Sequence, residues 1–216
     1  MSPEMHTAPD GGLDVAPAAA PQSAGVIVLG LDAGFRHFGW GAVRLLPGGG
    51  ERVEGLGSIL TEPSKRKGLV RDDDQRRAAL IARQLLEVAR RYEPAVLCAE
   101  ALSHVNPKKS RMPVSTTVKV GRAWGEVDML AELLETALVQ ASPQAIKQVL
   151  CGARSASKAQ VKRAVLARYP EAESLLVGIP AGRHEHPVDA VGAVVASLHT
   201  NELRLARRYG GASQPH

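Results

Sequence analysis

Three short apolar runs, each closed by turn residues, open the patterned part of this 216-residue chain and restrict its fold more than any other feature. VIVLGLD (26–32) is apolar and β-branched and ends in Asp-Ala-Gly. FGWGAVRLL (38–46) runs into the turn PGGG (47–50), and VEGLGSILT (53–61) follows. Runs of this length, separated by Gly and Pro, read as strands joined by tight turns. Three in succession make an antiparallel meander.

The period then changes. From 71 to 92, Ala79, Leu80, Ala82, Leu85, Leu86 and Val88 recur at helical spacing, Asp72 to Asp74 occupy the first turn where negative charge suits the helix dipole, and the pattern stops before Pro94. PAVLCAEAL (94–102) reads as a buried strand carrying one charge, Glu100. A Pro-bounded basic loop (103–113), a long helix (114–137), a strand (138–142) and helices at 143–150, 157–169 and 186–208 complete the order βββαβαβα with helices added at the end. This predicts an α/β fold: a mixed five-stranded sheet, antiparallel at first and parallel later, flanked by helices, with strand 26–32 central. Functional groups of such sheets gather at strand ends near a switch in strand order. Residues 1–24, with Pro3, Pro9, Pro17 and Pro21, show no periodicity and read as a disordered leader. Residues 25–209 read as one domain and 210–216 as a disordered tail.

Composition narrows the function classes. Two cysteines, Cys98 and Cys151, make neither a disulfide framework nor a four-thiolate metal site. No apolar run approaches the roughly 18 residues of a spanning helix, and no basic segment precedes an apolar one at the start, so the expectation is a soluble cytoplasmic protein with no membrane association. A net charge of +5 favours an anionic partner.

Asp32, ending the first strand, is on its own an ordinary turn residue. Glu100 interrupts a strand apolar on both faces, so it must lie at an exposed end, be paired, or hold a metal. Asp189 would fall third in a helix starting at Pro187, where it suits the dipole, and His186 stands three residues earlier, able to share its side. The topology nevertheless brings these positions together, and three converging carboxylates repel unless divalent cations neutralise them. All-oxygen clusters suit Mg²⁺ or Mn²⁺, which support two-metal phosphodiester hydrolysis.

The segments 28–43 (VLGLDAGFRHFGWGAV), 95–102, 120–134, 141–166 and 186–199 (HPVDAVGAVVASLH) resemble, in order and spacing, the RuvC family of Holliday junction resolvases. The resemblance implies an RNase H-like fold, a homodimer, and an Mg²⁺-dependent endonuclease with two ions per site, Mn²⁺ substituting. Such an enzyme makes paired symmetric nicks across four-way DNA junctions in recombination and repair. Asp32, Glu100 and Asp189 match the family's metal-binding acids. His186 matches a fourth position that touches a metal or the scissile phosphate. Lys147 and Lys158 match basic positions that meet DNA, and a branch-migration motor is a further candidate partner.

The sequence departs from the family at Ala33, which replaces a Pro, and beyond Glu100, where the family's stacking aromatic is lacking. Gly121-Arg122-Ala123-Trp124-Gly125 moves the usual basic residue by two positions, roughly 200° around a helix. Lys108, Lys109, Arg111, Lys119 and Arg122, with no acid between 103 and 125, fit a phosphate track or a charged loop. Val127, Leu130, Leu133, Leu134 and Leu138 read as core or as a dimer surface. His184 with His186 lacks a third soft ligand for zinc. The alternatives are another nuclease of this fold, acting on RNA–DNA hybrids or flaps, and a non-catalytic junction-binding protein.

Overall fold

The computed structural model describes residues 13–15, 25–65, 69–102 and 113–209. Its sheet has the strand order β1-β4-β3-β2-β5-β6, built from β1 (Leu13–Val15), β2 (Val26–Asp32), β3 (His37–Leu45), β4 (Glu51–Leu60), β5 (Val96–Glu100) and β6 (Ala137–Ala141). β2, β3 and β4 form the expected antiparallel meander, and β5 and β6 continue in parallel beside β2, which is central. One strand was not expected. Leu13–Val15 pairs antiparallel with Gly57 to Ile59, making six strands rather than five and covering the open edge of β4. The rest of 1–24, and 210–216, lie outside the described residues.

Strand alternation sorts the core into two layers. Ile27, Leu29, Leu31, Phe38, Trp40, Leu97 and Ala99 face α1 (Val70–Tyr92) and α2 (Val114–Leu133). Val26, Val28, Val43, Leu45, Val96 and Cys98 face α3 (Pro143–Cys151), α4 (Lys158–Arg168), α5 (Glu171–Leu175), α6 (Glu185–Ser197) and α7 (Asn201–Tyr209). α6 buries Val188, Ala190, Val191, Ala193, Val194 and Val195, apolar nearly all round, because sheet and helices enclose it. Full burial of each valine contributes about 1.5–3 kcal/mol.

Three boundaries correct the sequence reading. The helix expected over 114–137 ends at Leu133, since Glu135 adopts a left-handed φ of 49° and Thr136 Oγ1 donates to the Ala95 carbonyl at 2.5 Å, turning the chain into β6. Val127 and Leu130 of its apolar stripe are core, Leu133 is 59% exposed, and Leu138 belongs to β6. The single helix expected over 186–208 is two, broken where the Leu203 amide donates to the Thr200 hydroxyl, a new N-cap. α6 also starts at Glu185, so Asp189 is its fifth residue, beyond the turn in which a carboxylate serves as a cap. No helix among the described residues is long and apolar enough to cross a membrane.

Candidate active site

The alternation that sorts the core also aims the acids. On β2 the residues sharing the α6 face are Val26, Val28, Gly30 and Asp32. On β5 they are Val96, Cys98 and Glu100. Leu31 pairs with Ala99 in parallel register, so Asp32 and Glu100 end adjacent strands on the same face. α6 reaches them because two strand glycines admit its backbone. A Cβ at Gly30 would collide with the Ala190 carbonyl, and one at Gly39 with the carbonyl of His186. His186 and Asp189, one turn apart, thereby descend on Asp32.

His186 Nδ1 lies 2.7 Å from Asp32 Oδ2. A carboxylate oxygen accepts, so Nδ1 carries a proton and donates, and in the neutral imidazole Nε2 then holds the lone pair. No described residue bonds Nε2. Burial, with the nearby Asp32 and Asp189 charges, pushes the Glu100 carboxyl up to about 7, while Lys158 and Lys147 act against the rise. Burial and Asp32 push Asp189 up to about 6, opposed by Lys158, His186 and Lys147. These mutual effects place Asp32, Glu100, Asp189, Lys147 and Lys158 in one electrostatic neighbourhood.

Among the described residues no three His, Cys, Asp or Glu side chains already stand at ligand spacing around a common point. Like-charged carboxylates held without a cation move apart as far as packing allows, and here they raise one another's proton affinity instead. The donor chemistry, half-buried carboxylates from three elements, fits a hard divalent ion. His184 takes no part. It bonds Lys162 Nζ at 2.9 Å and the Ile179 carbonyl at 2.6 Å, which removes the zinc pair with His186.

The basic residues divide. Lys158, at the start of α4, contacts Glu185 and stays largely exposed, while Lys147 on α3 is half-buried beside the acids. Lys119 does not join that neighbourhood as a free cation: its Nζ lies 3.5 Å from Asp74. Arg122 is half-exposed on α2, whereas Trp124 is buried in the layer under α1 and α2, so the family's basic position is filled here by core. Lys108, Lys109 and Arg111 lie outside the described residues. Sequence reasoning missed His37, whose ring stacks on His186 with centroids 5.3 Å apart and planes 11° from parallel. Burial, with His186, Arg36 and Arg183 nearby, lowers its basicity. The available signal was the shared parity of His37, Gly39 and Gly41, since two strand glycines in alternation announce a backbone crossing beside the histidine.

Residues 28–171 match the protein family described as Crossover junction endodeoxyribonuclease RuvC. The match includes Asp32, Glu100, Lys147 and Lys158 and stops short of His186 and Asp189. The RuvC of Halothermothrix orenii is 27% identical over 186 residues, spanning 86% of this chain and 98% of that one. That of Solidesulfovibrio magneticus is 29% identical over 186 residues, spanning 85% and 95%. Among solved structures, Thermus thermophilus RuvC in complex with a Holliday junction substrate is similar at a TM-score of 0.61 and 24% identity, covering 79% of this chain and 92% of that one. The yeast mitochondrial Holliday junction resolvase is similar at a TM-score of 0.55 and 16% identity, covering 88% and 84%.

Proposed function

The chain belongs to the RuvC family of crossover junction endodeoxyribonucleases, and we propose that Asp32, Glu100, Asp189 and His186 are the site with which it cuts. It is an RNase H-like endonuclease that resolves Holliday junctions, with the metal-dependent chemistry of its family. The observation that carries the site assignment is the convergence of three carboxylates from β2, β5 and α6, with His186 bonded to one of them.

The three acids would hold Mg²⁺, two ions per site, with Mn²⁺ substituting. The chemistry such ions would supply there is activation of water and stabilisation of the leaving oxygen. The protein's own groups do the rest. Asp32 fixes the tautomer of His186 and so presents Nε2 as a proton acceptor or ligand. Lys147 and Lys158 set a positive edge beside the acids where a DNA phosphate is drawn in, and the Lys158–Glu185 contact, largely exposed, exchanges readily for that phosphate. Arg122 extends the cationic track along α2, with Lys108, Lys109 and Arg111 before it in sequence, and Lys119 joins it on release from Asp74.

Two nicks on opposed strands need two sites, so the working form is a homodimer. Val114, Val118, Met129 and Leu133, all exposed on α2, supply an apolar surface for it. Free Cys98 and Cys151 and a DNA substrate fit the cytoplasm, and a branch-migration motor is a fitting partner for a junction-cutting enzyme.

Asp32→Asn tests the site. Cleavage of a four-way junction falls by at least about 100-fold, the scale of a lost catalytic contact, while metal-free junction binding is retained. Equal loss of binding would make the acid structural.

A further inference from the structure

The bond from His186 Nδ1 to Asp32 Oδ2 sets the side to which the imidazole turns. Hydrogen-bond angles are tolerant, so the bond alone leaves the plane room to rock about Cβ–Cγ. The plane is held by something else. His37, first residue of β3 and paired in register with Leu60, lays its ring parallel on that of His186, centroids 5.3 Å apart and planes 11° from parallel. Two positions along the same face, Gly39 brings the strand against the His186 backbone and Cβ, fixing the root of the side chain. A bond at one nitrogen, a flat ring on one face and a fixed backbone together determine where Nε2 lies.

His37 has no other evident task. Among the described residues its buried Nδ1 has no hydrogen-bond partner and it joins no group of three that could hold a metal. Its defined contact is the stack. Resting on the site assignment above, we infer that His37 is a positioning residue that fixes the ring plane of His186, keeping Nδ1 on Asp32 and Nε2 free. What it supplies is flatness and bulk, not a ring nitrogen.

The test compares His37→Phe, which keeps a flat ring, with His37→Leu and His37→Ala, which do not, in the full chain. Three quantities are read: cleavage rate at saturating junction with Mg²⁺, junction affinity without metal, and the tautomer of His186 by ¹⁵N NMR of the metal-free protein. Leu and Ala are expected to slow cleavage by about 10–100-fold, the usual effect of losing a ligand's outer support. Affinity stays unchanged, and the His186 signal moves from the Nδ1–H form to an average of tautomers. Phe restores both rate and tautomer. Leu cleaving as fast as Phe, or Phe as slow as Ala, would overturn the inference, and the Phe–Leu pair decides the matter where Ala fails to fold. If the wild type cleaves no junction, the functional assignment fails by itself. The tautomer comparison then still supports the positioning role, if Leu averages the signal, or refutes it, if Leu does not.

Discussion

Glu100 and Asp189 carry the clearest residue-scale signature of the site. Their carboxyls are raised, by burial first and by neighbouring carboxylates next, to about 7 and about 6 from ordinary values of 4.5 and 3.8. A raised carboxyl contributes stability that is full below the unfolded value and is lost as pH rises through the folded one. The metal-free protein therefore loses melting temperature between about pH 4 and pH 7. Glu100→Gln removes about half of that slope and leaves the metal-free protein more stable than wild type at pH 8. Millimolar Mg²⁺ raises the wild-type melting temperature at pH 8, and raises it little at pH 5 where protons compete. Thermal melts across pH with and without Mg²⁺ check all three statements, and a flat wild-type profile would contradict them. At this scale Glu100 was legible in the sequence because a charge inside an apolar strand needs a reason. Asp32 and Asp189 were ambiguous one at a time, since a turn residue and a helix cap look the same in one dimension. His37 was marked only indirectly, by the glycines at 39 and 41 that share its strand face, because the stack itself joins two elements distant in sequence.

Among elements, α6 does most to build the site, and it does so through the glycines beneath it. Gly39→Ala drives a methyl group into the His186 carbonyl, so the helix lifts from the sheet. The expected loss is about 1–3 kcal/mol of stability, as in an overpacked core, with a larger fractional loss of cleavage than of junction binding. Denaturant melts with cleavage and binding assays measure both, and unchanged cleavage would show that the contact relaxes elsewhere. The strands were legible because their alternation is strict and Gly or Pro marks their ends. The break at 198–200 was not. A helical apolar period runs through it, and the cap at Thr200 is one hydroxyl in an otherwise helical stretch. Glu135 similarly ends α2 by adopting a left-handed backbone that its residue type does not announce. The edge strand Leu13–Val15 lies in a proline-rich segment, and three residues pairing with a distant partner carry no periodicity of their own.

For the molecule as a whole, the order of strands and helices was readable, whereas assembly was not. Leu133 belongs to an apolar stripe whose other members, Val127 and Leu130, are core, and only the fold shows that it is exposed. Leu133→Glu with Met129→Glu is expected to shift the protein from dimer to monomer in sedimentation velocity and to turn paired nicks into single ones. A wild type that sediments as a monomer on and off the junction would contradict the dimer. The central claim, that this chain uses the Asp32–Glu100–Asp189 site to resolve junctions, is tested most directly by Mg²⁺-dependent cleavage of a synthetic four-way junction. A linear duplex of the same sequence and an RNA–DNA hybrid run beside it, and both cut sites are mapped. The account predicts symmetric nicks on opposed strands of the junction, absent from the duplex and the hybrid. Preferential cutting of the hybrid, or binding of the junction without any cut across a set of junction sequences, would contradict it.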